Sequence, residues 1–115
     1  MIAAVESLSA LAHEGRLRAF RLLVSAGPDG LAAGEIARRL GTPPNTLSAN
    51  LSLLAHAGLA QSRRDGRSII YSARFDQMGE LMAFLAEDCC GGAAEVCAPV
   101  AAAARRAACR PGMLT

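Results

Sequence analysis

One short segment of the chain favours β structure in a sequence that otherwise favours helix. The run Ile69-Ile70-Tyr71 is the most β-prone of the chain, and Asp65-Gly66 precedes it. Asp-Gly between two short extended runs is typical of a β-hairpin, so we predict strands over 59–63 and 68–73. The remainder is rich in Ala and Leu, which favours helix. The expected fold is mostly α-helical with a small β-hairpin.

Apolar residues recur at helical spacing on both sides of the predicted hairpin. The spacing predicts helices over 2–13, 16–26, 33–40, 43–57, 76–88 and 93–108. Gly41 suits the left-handed end of the third helix, and Thr42 reads as the N-cap of the fourth. Two short helices around a tight turn, followed by a hairpin, predict a winged helix-turn-helix. We assign residues 1–90 to DNA binding and dimerisation, and residues 91–115 to a cysteine-containing extension.

Charge is unevenly distributed along the chain. Residues 36–75 contain six arginines against one aspartate, a local net charge of +5. Residues 76–97 contain five acidic residues and no basic residue, a local net charge of −5. A basic region favours an anionic partner such as nucleic acid, although solvated helix faces would give a similar pattern.

The fourth helix carries the residues that we predict to read DNA. Leu47, Leu51 and Leu54 form its apolar face. We expect the opposite face to be small and polar and to contact bases and phosphates through Asn45, Thr46, Ser48, Ala49, Asn50 and Ser52. Around the hairpin tip we predict phosphate contacts by Arg63, Arg64 and Arg67. An ordinary core helix with a polar outer face is the alternative.

The cysteines lie in the last third of the chain. Cys89, Cys90 and Cys97 surround Gly91-Gly92, and Cys109 lies beyond them. An all-thiol set favours a soft ion, and three sulfurs suit trivalent arsenic or antimony. We therefore predict an inducer site at the first three cysteines, with Cys109 as a spare or substitute ligand. A structural zinc ion with four thiolates and a thiol redox switch are the alternatives.

Two stretches of the sequence resemble the ArsR/SmtB family of metal-responsive bacterial repressors. They are LAHEGRLRAFRLL, and LSANLSLLAHAGL followed by RRDGRSIIYS. The resemblance spans about residues 5–90. It implies a homodimeric winged-helix repressor that pairs through its first and last helices and loosens its hold on operator DNA when a metal or metalloid binds. Residues 31–35 lack the Cys-x-Cys motif that many arsenic-responsive members carry there.

The sequence thus predicts a dimeric repressor that leaves a palindromic operator when trivalent arsenic, antimony or an organoarsenical binds. A repressor sensing cadmium, zinc or thiol oxidation stays open, as does an interaction module with structural zinc. We find no catalytic triad, P-loop or GxGxxG motif, so we expect neither an enzyme nor an organic cofactor. The N-terminus lacks the basic region of a signal peptide, and no apolar run reaches about 18 residues, so we expect a cytoplasmic protein without a membrane partner.

Overall fold

The computed structural model of the protein describes residues 2–86 and 94–107. In these two ranges the elements are α1 (Ile2–Leu11), α2 (Glu14–Ala26), β1 (Leu31–Ala32), α3 (Ala33–Leu40), α4 (Pro44–His56), β2 (Ala60–Asp65), β3 (Ser68–Ala73), α5 (Phe75–Ala86) and α6 (Ala94–Ala107). The predicted mostly helical fold with a small β-hairpin is confirmed. None of the helices in the described part of the chain combines the length and apolarity that a membrane crossing requires.

The chain divides into two compact units, Met1–Leu81 and Met82–Thr115. The first contains all elements from α1 to β3 and the start of α5. The described part of the second contains the end of α5 and α6, whose Pro99 removes one helical N–H donor. The predicted domain boundary at residue 90 lies outside the described residues.

The core of the first unit is built from leucines and one isoleucine that are almost wholly withdrawn from solvent. They come from α2, α3, α4 and the residue just before β2: Leu23, Ile36, Leu47, Leu51, Leu54 and Leu59. Burying one such side chain contributes about 1.5–3 kcal/mol. The core therefore holds α4 in contact with both α2 and α3.

The turn between α3 and α4 contains one predicted feature and one correction. Gly41 adopts φ 63° and ψ 30°, the left-handed conformation that we predicted for it. Thr42 is not the N-cap of α4, because Pro43 takes that position at φ −57° and ψ 141° and the helix begins at Pro44. The residue before a proline is driven out of the helical region, so Pro43 stays extended. Pro44 then occupies the first helical position, where a missing N–H costs little.

The three strands form one antiparallel sheet in the order β1-β3-β2. The strand β1, which pairs Leu31 with Tyr71, was not predicted from the sequence. The predicted hairpin is present, and β2 continues to Asp65, which pairs with Ser68. This register leaves a two-residue turn in which Gly66 alone adopts a positive φ, as in hairpin turns with glycine first. The hairpin, residues 60–73, is called the wing below.

The junction between α1 and α2 differs from the prediction of a helix over 2–13. The first helix ends at Leu11, and His13 caps the second by accepting hydrogen bonds at Nδ1 from the N–H groups of Gly15 (3.1 Å) and Arg16 (3.4 Å). The Nε of Arg16 donates to the carbonyl of Ala10 at 2.6 Å, so it satisfies an acceptor at the end of α1. His13 therefore belongs to a helix start, not to the helix end that we expected from its position in the sequence.

Gly30 permits the close approach of the α2–β1 turn to the sheet. It adopts φ 73°, and a Cβ placed there would lie 2.3 Å from the carbonyl oxygen of Tyr71. We expect Gly30→Ala to lower the free energy of unfolding by more than about 2 kcal/mol, measured by urea denaturation. Gly41→Ala is the matched control, because that site shares the positive φ but has no atom within 4 Å of the added Cβ. It should cost about 1 kcal/mol. Equal losses in the two variants would contradict the steric argument.

Candidate nucleic-acid interface

The outer face of α4 is small, polar and exposed over most of its length. The structure places five of the six predicted residues on it: Asn45, Thr46, Ser48, Ala49 and Ser52. Leu47, Leu51 and Leu54 point into the core, as predicted. Side chains this short allow the helix backbone to approach base edges, and four of the five carry hydrogen-bonding groups.

Asn50 is a correction to the predicted set, because it faces the core. It is 6% exposed, and its Nδ2 lies 3.0 Å from where a Cβ of Gly15 would be. The reason is helical periodicity, since position 50 follows Leu47 by three residues and precedes Leu54 by four, on the same buried stripe. That spacing was available in the sequence. The amide of Asn50 thus packs against the start of α2 and does not face bases.

The three wing arginines fall into two groups. The Nη2 of Arg63 donates to the carbonyl oxygen of Asp29 at 2.9 Å, which ties β2 to the α2–β1 turn. Arg64 and Arg67 are exposed, and among the described residues no side-chain hydrogen bond or ion pair engages them. Two cations at the tip are therefore free for phosphates, while Arg63 also anchors the wing.

The helix α3 is less positive than its two arginines suggest. Both donate to the carboxylate of Glu35, Arg38 in a fork and Arg39 through Nε at 2.6 Å. The hydrogen bond from Arg38, followed by that from Arg39, lowers the pKa of Glu35 to about 2. In the same way a hydrogen bond from Arg74 lowers the pKa of Asp76. The two carboxylates therefore stay ionised, and they offset two of the five net positive charges counted along residues 36–75.

A groove of about 670 Å³ separates the second half of α4 from the inner face of the wing. Its lining residues are Ser52, Leu53, Ala55 and His56 from α4, and Ser62 and Tyr71 from the wing. Sequence analysis proposed only Ser52 among them as a DNA contact. Ser62 and Tyr71 face each other across the ladder, and this pairing follows from the register that the two-residue turn sets. The Asp65-Gly66 turn motif was the one signal in the sequence that indicated this pairing of Ser62 with Tyr71.

The predicted inducer site lies almost wholly outside the described residues. Cys89, Cys90 and Cys109 are not among them, and of Cys97 the structure gives only its place in α6. Within residues 2–86 and 94–107, no cluster of three His, Cys, Asp or Glu side chains is arranged to hold a metal ion. The cysteine site therefore stays a prediction.

The helix-turn-helix α3–α4 with an antiparallel wing defines the winged-helix class of DNA-binding proteins. The profile of a family described as a helix-turn-helix domain matches residues 11–63. An uncharacterized HTH-type transcriptional regulator of Mycobacterium tuberculosis, Rv0081, is 35% identical over 79 residues, which are 68% of this chain and 67% of that protein. The chain therefore belongs to the helix-turn-helix transcriptional regulators. Relatives that are transcriptional regulators are consistent with the expectation that the protein is not an enzyme.

Solved structures refine this assignment. One is the homodimeric winged helix-turn-helix DNA-binding domain of Mb0332 from Mycobacterium bovis, a possible ArsR-family transcriptional regulator. It is 31% identical, with a TM-score of 0.61 over 72% of this chain and 74% of that one. Another is an ArsR-like transcriptional regulator from Rhodococcus sp. RHA1, 26% identical, with a TM-score of 0.66 over 95% of this chain and 96% of that one. The structural neighbours are thus ArsR-like.

The burial of Asn50 separates a structural role from base reading. Asn50→Ala removes a packed side chain, so we expect the free energy of unfolding to fall by about 1–3 kcal/mol in urea denaturation. Ser48→Ala, at an exposed position of the same helix, should change stability by less than about 0.5 kcal/mol and alter the preference among DNA sequences. An Asn50→Ala protein of unchanged stability and altered base preference would contradict this placement.

Proposed function

We propose that the protein is a homodimeric, ArsR-type repressor whose two α4 helices read successive major grooves of a palindromic operator. One observation carries the proposal. The exposed polar face of α4 lies beside a wing whose Arg64 and Arg67 have no internal partner among the described residues. Polar side chains on a helix suit base edges, and the free cations suit the flanking phosphates. Because such a regulator acts on DNA, we also propose that it is cytoplasmic.

The dimer proposal rests on apolar side chains that one chain leaves in solvent. In α1 the buried positions are Ser7 and Ala10, whereas Val5 is 58% exposed and Leu8 42% exposed. On α5, Leu85 is 57% exposed. Apolar helix faces of this kind are typical of interaction surfaces, and pairing two copies would cover them. The homodimeric neighbour Mb0332 supports the same arrangement.

A charged residue on α1 tests this arrangement. We expect the wild-type protein to sediment as a dimer at micromolar concentration, and Leu8→Glu to shift it to a monomer, because an ionised carboxylate is costly to bury. Leu17→Glu is the matched control, since Leu17 on α2 is also 42% exposed. It should leave the dimer intact. A wild-type monomer under these conditions, or equal dissociation by both variants, would contradict pairing through α1.

We further propose that trivalent arsenic, or antimony or an organoarsenical, is the inducer and binds Cys89, Cys90 and Cys97. The donor chemistry supports this, because adjacent thiols select a soft thiophilic centre and three sulfurs match its trigonal preference. An inducer releases DNA only by binding the free form more tightly than the DNA-bound form. The inducer site lies in the segment that follows α5 in the chain. The DNA-bound state must therefore strain the geometry of this site and weaken inducer binding.

Serine variants separate sensing from folding. Cys89→Ser, Cys90→Ser and Cys97→Ser should each keep operator affinity and melting temperature but lose release by arsenite. Cys109→Ser is the matched control and should respond almost like the wild type. The measurement is fluorescence anisotropy of operator DNA with and without arsenite, beside a thermal melt of each variant.

Two outcomes would contradict the inducer site. Variants that lose DNA binding and thermal stability together without arsenite would indicate a structural zinc ion, whose binding energy is folding energy. A chelator would then have the same effect on the wild type. Variants that still leave operator DNA when arsenite is added would show that other groups sense arsenite.

A further inference from the structure

The groove between α4 and the wing is lined by hydroxyl and imidazole groups beside two apolar side chains. Ser52, Ser62 and Tyr71 contribute hydroxyls and His56 contributes an imidazole, and none of the lining residues is a carboxylate. Among the described residues no side-chain hydrogen bond engages these three hydroxyls. They are therefore free to donate to a ligand that enters the groove.

The groove continues the surfaces assigned to DNA. Ser52 lies one helical turn after Ser48, so the exposed polar face of α4 runs into it. On β2, Ser62 and Arg64 point to the same side of the sheet because they are two residues apart, so the free guanidinium of Arg64 lies on the face that lines the groove. An anionic chain that contacts both the helix and the wing has to pass between them.

We infer that this groove seats one sugar-phosphate strand of the DNA, with the hydroxyls of Ser52, Ser62 and Tyr71 donating to phosphate oxygens. The inference rests on the proposed DNA-binding function and assigns a site within it. Ser and Tyr hydroxyls are frequent phosphate donors in protein–DNA complexes. Leu53, at the same groove and 48% exposed, supplies an apolar contact for the deoxyribose ring.

Neutral donors predict a distinct dependence on salt. A cation that binds a phosphate releases condensed counterions, so its removal flattens the dependence of affinity on salt. A hydroxyl adds a hydrogen bond but neutralises no charge, so its removal lowers affinity equally at every salt concentration. The groove and the wing tip are therefore distinguishable in one titration series.

The experiment measures operator affinity of the full-length protein across a range of salt concentrations. Tyr71→Phe, Ser62→Ala and Ser52→Ala should each weaken binding about three- to tenfold with an unchanged salt slope. Arg67→Ala should flatten the slope by about one phosphate per protomer. Ser25→Ala removes an exposed hydroxyl that donates to the Leu22 carbonyl at 2.8 Å, away from the groove. It should leave affinity and slope unchanged.

A second measurement keeps the test independent of folding. Single methylphosphonates, scanned along the operator, should identify one phosphate per half-site at which the wild type loses affinity and Tyr71→Phe loses little further. If the wild type binds the operator but the three hydroxyl variants bind equally well, or if every methylphosphonate affects Tyr71→Phe as it affects the wild type, the groove assignment is wrong. A wild type that binds no operator DNA would contradict the proposed function itself.

Discussion

The burial of one stripe of α4 fixes the direction of every other candidate contact on that helix. Leu47, Leu51 and Leu54 pack into a core shared with α2 and α3, so the opposite side of the helix has to face solvent. The polar face, the groove and the position of the wing all depend on this packing. Replacing any of these leucines by alanine would cost about 2–5 kcal/mol, a large part of the stability of a small domain.

Internal pairing decides which charges remain available to a partner. Glu35 holds two arginines of α3, and the backbone carbonyl of Asp29 holds Arg63. Of the arginines in residues 36–75, only Arg64 and Arg67, near the tip of the wing, lack a side-chain partner among the described residues. The positively charged surface is thus narrower than the count of arginines along the sequence indicates.

Local chemistry explains which features the sequence could predict. Gly41 and the Asp65-Gly66 hairpin were predicted because a positive φ and a tight turn require particular residues. Asn50 faces inward because it lies on the leucine stripe, whereas its polar amide alone favours an exposed position. Arg63 and β1 depend on contacts between residues far apart in the chain, such as the 34-residue separation of Arg63 and Asp29, and no local pattern indicates those. The cysteine site rests on sequence alone.

The central claim is that two copies of α4 and the wing read one DNA site together. Hydroxyl-radical footprinting of the purified protein on the DNA upstream of its own gene tests it most directly. We expect two protected segments related by a two-fold axis, with centres about 10 base pairs or a multiple of that apart, because the two α4 helices would lie in successive major grooves. A single protected segment, or protection that extends without a defined boundary, would contradict it.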